Sequence, residues 1–492
     1  MRATLTGKLI AFCGLIIFLS LSSCTKPNTD TPTPPLSSEK NITSFSFKVA
    51  NNPTLTADVI GNINSDSIFI IVPFGTVITN LIPSITISGI SISPSDLTQQ
   101  NFTNPVSYLV TAKDASTKSY TVVVNIGAIE ATLFINSTYP GSNGGGYGRI
   151  FALDANTGLL KWKYTATVSA LESSNAFDKG FIYTGIGNNI SSIDTASKKI
   201  TWNFTTGGFV ESTPTIANGI LYINSNDGYL YAVDAATGSL KWNYFEGAAP
   251  GPTAANFSSP TVVDGVVYVG CFDGYLYAIN ALTGILKWKI FDTYNIGGWF
   301  ESSPSVVNGV VYITDIYYDL IALNANDGSL KWDFKNIETT VSSPTVVGNI
   351  IYVGSSTGLY AIDANTGAFI WEYPTPYPIN GSPIVSNGTI FVGITSPDNS
   401  AFYAINATSG ALKWVFTDVS NFYVSDFYSS PIVFNDVVFV GSYASIFAIN
   451  ANTGILKWKY EIDNKLDEVR TSPCIVDEKG NIYYSGISGS QN

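Results

Sequence analysis

The chain has 492 residues, a formal net charge of −12, no histidine and a single methionine at position 1. Without histidine there is no Ser-His-Asp or Cys-His nucleophile system, no His-ligated haem and none of the usual zinc or blue-copper sites. The acidic balance excludes nucleic acid, which needs a basic surface to neutralise phosphates. Charged residues make up only 12%, while 28 Tyr, 28 Phe, 9 Trp and 43 Gly point to an aromatic-rich all-β protein.

In chain order, Arg2 and Lys8 precede a short apolar run from Leu9 to Leu21, the pattern of an export signal over residues 1–23. Thirteen apolar residues fall short of the ~20 that span a bilayer. The run Leu21-Ser22-Ser23-Cys24 then resembles the bacterial lipobox, which implies cleavage before Cys24 and lipidation of its thiol. Several acyl chains anchor stably where one does not. Residues 24–40, with four prolines among Thr and Ser, read as an extended tether. Thr25 rather than Asp after the cysteine points to the outer membrane, by resemblance to the lipoprotein sorting pattern.

Residues 41–128 show short period-2 runs separated by Gly, Pro, Asn and Ser, the signature of a small β-sandwich. Phe45 and Phe47, Ile68 to Val72, Tyr108 with Val110, and Tyr120 with Val122 mark the strands. Through Val72-Pro73-Phe74-Gly75-Thr76 and the closing strands at 108–114 and 120–122, this segment resembles the immunoglobulin-like modules of Bacteroidota surface lipoproteins. That resemblance implies a spacer, and no site is assigned to it.

Residues 129–492 are dominated by an internal repeat. Tryptophans stand at Trp162, Trp202, Trp242, Trp288, Trp332, Trp371, Trp414 and Trp458, 39 to 46 residues apart. Each ends a near-copy of one phrase, as in FALDANTGLLKWKY (151–164) and FAINANTGILKWKY (447–460). A second phrase precedes most copies, as in SSPTVVDGVVYVG (258–270). A Ser-Pro start, an Asp/Asn-Gly turn, a VVYVG strand, a YLYAI strand, a Thr-Gly turn and a Trp strand make four strands in about 43 residues. Tandem units of this kind predict a β-propeller of eight blades, with one tryptophan filling each seam. Residues 192–202 lack both the Ala and the Gly of the phrase, so the second blade is the least regular. The first unit lacks a Ser-Pro strand and the chain's end supplies one at 471–476, so two half-blades are expected to close the ring. Both ends offer a compatible second strand, which leaves the order within that sheet open. Cys271 and Cys474 have no C-x-x-C spacing and read as small buried hydrophobes.

The phrase Ala-x-Asp-x-x-Thr-Gly-x-x-x-Trp, intact at 152–162, 232–242 and 361–371, resembles the tryptophan-docking motif of the pyrroloquinoline quinone (PQQ) repeat family. That family includes quinoprotein dehydrogenases and the BamB-type outer-membrane assembly lipoproteins. The resemblance implies one of two roles, a scaffold or a PQQ- and Ca²⁺-dependent oxidoreductase. The adjacent cysteine pair and C-x-x-C-H of many such enzymes are absent here. The expectation is therefore a non-enzymatic, lipid-anchored binding or scaffolding platform with no cofactor, no metal site and a protein or glycan partner. A surface glycan- or protein-capture module is the second reading, and the dehydrogenase the third.

Candidate binding residues lie in the loops that join one blade to the next: Phe209, Glu211, Phe257, Trp299, Glu301, Tyr377, Phe422, Tyr423, Asp426, Phe427 and Tyr428. Convergent aromatics with a few carboxylates suit a sugar, peptide or protein. Glu211 and Glu301 occupy equivalent positions, three residues before a proline, which the repeat itself explains better than acid/base chemistry.

Overall fold

The computed structural model describes residues 34–73, 75–127, 129–139, 146–167, 172–247, 257–291, 299–315, 319–335, 337, 341–395, 401–418, 427, 429–464 and 466–484. Cys24 and the export signal lie outside the described residues, as do Phe422, Tyr423, Asp426 and Tyr428. The chain divides into two compact units after Gly127, and every described element is a strand, turn or bend.

The first unit carries two sheets. Ile42–Phe47 pairs on one side with Val59–Ile60 and on the other with Pro83–Ile87. The second sheet has five strands, with Ser67–Val72 parallel to Thr117–Ile126 at its centre. Period-2 alternation sends Ile68, Ile70 and Val72 inward and leaves Phe69 and Ile71 exposed. Residues of both sheets share one core, in which Phe45, Phe47, Phe102 and Tyr108 meet edge to face at 5.2–6.4 Å.

The second unit is a β-propeller. Among the described residues it comprises seven four-stranded antiparallel sheets and one of five strands. In the five-stranded sheet Ala131–Tyr139 pairs with Cys474–Asp477, placing Phe134 opposite Cys474. The N-terminal segment thus takes the second-strand position and the C-terminal segment the first. Ile482–Tyr484 adds a fifth strand beyond it, towards the channel. The two half-blades thus pair directly with each other at the junction.

Six seams use the same contact, while the buried Trp371 indole N–H has no hydrogen-bond partner. The Trp288 indole N–H donates to the Ala325 carbonyl at 3.0 Å, and the hydroxyl of Tyr268, whose ring lies 5.9 Å away, donates to that carbonyl too. Trp202, Trp242, Trp332 and Trp414 repeat the indole bond to Ala235, Ala281, Ala364 and Ala451. Trp458 closes the circle on Ala155, 303 residues upstream in the chain. The indole lies against the Thr-Gly turn of the next blade. A Cβ on Gly328 would meet the Trp288 ring at 2.8 Å, and its φ of +74° is itself a glycine conformation. The turn after Trp162 breaks this rule: Lys198 holds the equivalent left-handed position, with φ +62°.

Cys271 and Cys474 are both buried free thiols, and burial pushes Cys474 up to about 12.

Candidate functional site

The Ser-Pro phrase builds a channel along the propeller axis. The hydroxyl of the first serine accepts the N–H at the end of the second strand, as Ser258 does from Gly270 (3.0 Å) and Ser342 from Gly354 (3.1 Å). The second serine links neighbours. The N–H groups of Thr213, Ser259, Ser303, Ser343, Ser382, Ser430 and Ser472 each donate to the hydroxyl oxygen of the next blade's serine. These bonds run from 2.8 to 3.2 Å, and the last returns to Ser174. Each of these serine oxygens accepts a backbone proton, so its own proton remains to donate towards the channel. The result is a hydroxyl-lined cavity of about 360 Å³.

Two residues before each Ser/Thr in this ring lies the position where the repeat stops repeating. Around the channel mouth it is held by Glu172, Glu211, Phe257, Glu301, Val341, Asn380 and Arg470, with Tyr428 outside the described residues. All the described ones but Glu211 line the cavity. Glu172 and Arg470, like Val341 and Asn380, were not singled out in the sequence. The first copy reads Ser-Ser-Asn (173–175) in place of Ser-Ser-Pro, and Arg470 lies beyond the last tryptophan. Aligning the three residues before each Ser-Pro would have found all four.

Burial raises the carboxyl of Glu301 above the ordinary range. It raises Glu172 too, with Arg470 opposing and Glu468 adding to the rise. Glu211 is raised by burial and by the charge of Glu172, against a 3.0 Å bond from the Asn226 amide. The Arg470 guanidinium sits 2.6 Å from Glu468. The mouth therefore presents carboxyls that take protons above the usual pH, one paired cation, and apolar Phe257 and Val341. Among the described residues no three His, Cys, Asp or Glu side chains are placed to hold a metal ion.

The remaining predicted residues divide. Phe209 and Phe257 are exposed, at 51% and 41%. Trp299 is half-buried and packs on Phe272 with ring centroids 5.1 Å apart. Tyr377 is half-buried against its blade's core. Phe427 corrects the sequence reading, because it is 1% exposed and unavailable to a ligand. It precedes the mouth position, where Val210, Phe300, Ile379 and Val469 are equally buried. Each packs onto a glycine ending the second strand of the preceding blade, Gly393 in the case of Phe427. An apolar plug is what that position demands.

Comparison with known proteins gives two family matches. Residues 146–293, 293–358 and 338–491 match the family described as outer membrane protein assembly factor BamB, and residues 42–124 match the family described as SGBP, N-terminal. The serine/threonine-protein kinase AfsK of Streptomyces griseus is 31% identical over 106 residues, which span 19% of this chain and 13% of the kinase. Among solved structures, BamB from Moraxella catarrhalis superposes with a TM-score of 0.50 at 17% identity, covering 65% of this chain and 94% of that one. Quinohemoprotein alcohol dehydrogenase from Comamonas testosteroni gives 0.50 at 14%, covering 66% and 75%. A europium-containing methanol dehydrogenase gives 0.52 at 13%, covering 64% and 82%. These likenesses establish the fold and leave the chemistry to the site.

Proposed function

We propose that this chain, which belongs to the PQQ-like repeat family described as outer membrane protein assembly factor BamB, is a non-catalytic capture platform of the cell envelope. In this reading an eight-bladed propeller is carried behind an immunoglobulin-like N-terminal module, and Cys24 anchors the chain by lipid to the outer membrane. The observation that carries it is the channel mouth. The seams and the hydroxyl ring repeat around the propeller, whereas the mouth position varies, with glutamate at 172, 211 and 301 but Phe257, Val341, Asn380 and Arg470 in other blades. Diversity confined to positions the fold does not use is what a binding face requires.

The SGBP-type N-terminal module favours capture of a surface glycan, since that family's name is read as that of surface glycan-binding proteins. A second reading, a scaffold in outer-membrane protein assembly, rests on the family description of the propeller. The charge of the lining supports a non-catalytic role. PQQ is a tricarboxylate, and here it would face the carboxyls of Glu172 and Glu301 with one guanidinium that Glu468 already holds. These residues do not fit it.

Full-length protein in detergent, displayed to a glycan array, is expected to retain a defined glycan class. Glu301→Ala and Arg470→Ala should weaken that retention about tenfold or more with unchanged melting. Co-purification with β-barrel assembly proteins and no glycan retention would favour the scaffold. A stoichiometric quinone spectrum on adding PQQ and Ca²⁺ would overturn the non-catalytic reading. Separately, Cys24→Ala is expected to move the protein from the membrane to the soluble fraction and to abolish acyl labelling.

A further inference from the structure

The repeat provides its own control for a second feature of the same face. In each blade the first residues of the third strand pair with the last of the fourth, at the end of the sheet nearest the channel mouth. In six blades this pair is small, polar, charged or proline-containing: Arg149–Thr165, Asn189–Thr205, Asp319–Lys335, Gly358–Pro374, Ala401–Thr417 and Ser445–Glu461. In the two adjacent blades between them it is Tyr229–Phe245 and Tyr275–Phe291. The sheet closes without aromatics there, as the Thr205 hydroxyl bond to Asn189 (2.7 Å) and the Lys335–Asp319 ion pair (3.2 Å) show.

The two pairs are near-copies in geometry. Ring centroids lie 5.0 Å apart at 54° in one and 4.9 Å apart at 55° in the other. The phenylalanines are not spent on the core, since Phe245 is 52% exposed and Phe291 41%, while Tyr229 and Tyr275 are half-buried against it. Each is held from beneath by a turn carboxylate. Asp227 accepts the Tyr229 N–H at 3.1 Å, and Asp273 accepts the Tyr275 N–H at 3.0 Å. The blades are tied where the pairs meet. The Tyr277 hydroxyl donates to the Glu246 carbonyl, and Gly247 lies so close to Asp273 that no Cβ would fit. Lys289 Nζ stands 4.0 Å from the Tyr275 ring centroid, and exposed Phe209 joins the near side through the Asn226 N–H to its carbonyl (2.8 Å).

We propose that Tyr229–Phe245 and Tyr275–Phe291 form a two-station stacking platform for a linear chain of neutral pyranose units. The inference rests on the glycan-capture reading above. A pyranose has an apolar C–H face and a hydroxylated edge. It matches an exposed ring flanked by polar groups better than an aliphatic partner does. Two equal stations related by one blade step suit a ligand that itself repeats. The acidic chain, with Asp227 and Asp273 beneath the rings, disfavours an anionic polysaccharide.

The test is affinity electrophoresis and calorimetry of the full-length protein against xyloglucan, mixed-linkage β-glucan, α-mannan and starch. At least one is expected to bind. Phe245→Ala and Phe291→Ala should each weaken it about five- to tenfold. Phe245→Tyr should bind as the parent does. Phe369→Ala, an equally exposed ring at the far end of a fourth strand, should also leave binding unchanged. Unchanged melting would show that each variant is folded. Binding that survives Phe245→Ala and Phe291→Ala together overturns the platform and leaves glycan capture standing. Failure of the parent to bind any of the four overturns both.

Discussion

Replacing Trp288 by alanine is expected to destabilise the propeller by about 3–5 kcal/mol, the range for deleting a large buried ring. The same change at Trp162 is expected to cost about half as much. Trp288 is 9% exposed and loses three things at once: its bond to Ala325, its contact with Tyr268, and its seat on Gly328. Trp162 keeps the aromatic neighbour, Phe134 at 5.9 Å, but its turn carries Lys198 where the other seams have glycine. A side chain in the left-handed region also costs about 1 kcal/mol. Lys198→Gly should therefore stabilise the protein modestly and raise the cost of Trp162→Ala towards that of Trp288→Ala. Urea unfolding followed by circular dichroism measures the parent, the three single variants and Trp162→Ala in the Lys198→Gly background. Equal losses at Trp162 and Trp288 in the parent would refute the claim that the seams differ.

The features that tie blade to blade were readable because each needs a particular residue type. Glycine holds the +70° or so turn beneath the indole in seven seams, the indole N–H reaches an alanine carbonyl in six, and Ser or Thr forms the hydroxyl ring. The order of strands in the shared sheet was not readable, because 131–139 and 481–484 both carry alternating apolar residues. The structure decides it by placing Leu133 opposite Ile475 in the first pairing. Phe427 was misplaced because an exposed ring and a buried plug look alike in one loop. The buried Val210, Phe300, Ile379 and Val469 at the same register identify the plug. Tyr229, Phe245, Tyr275 and Phe291 escaped notice because they end strands, where aromatics are ordinary. Their peculiarity emerges only from the six blades that do without them.

One buried group gives stability a distinctive dependence on pH. Glu246 stands four residues after Trp242, a position held by Ala166, Thr206, Thr375 and Ile462 in other blades. Thr206 and Thr375 satisfy their hydroxyls with bonds of 2.7–2.9 Å to backbone carbonyls, and Asp418 at the same register has Lys459 at 2.8 Å. Glu246 is 3% exposed, and neither carboxyl oxygen has a hydrogen-bond partner. Burial, reinforced by the charge of Asp273, holds its pKa well above the carboxylate range. The folded state therefore binds this proton more tightly than the unfolded one. Its stabilising effect is complete below the unfolded value of about 4.3 and is lost as pH rises towards the folded value. Glu246→Thr removes that loss and copies a solution already used twice in the ring. It should be near neutral at pH 4 and stabilise by about 1–3 kcal/mol at pH 8, the cost of an unsatisfied buried polar group. Glu246→Gln, closer in volume, should show the same trend with pH. Melting temperatures of the three chains across pH 4–8 read the effect directly. A difference between parent and variants that stays constant over that range would show that Glu246 is not buried as an unpaired acid.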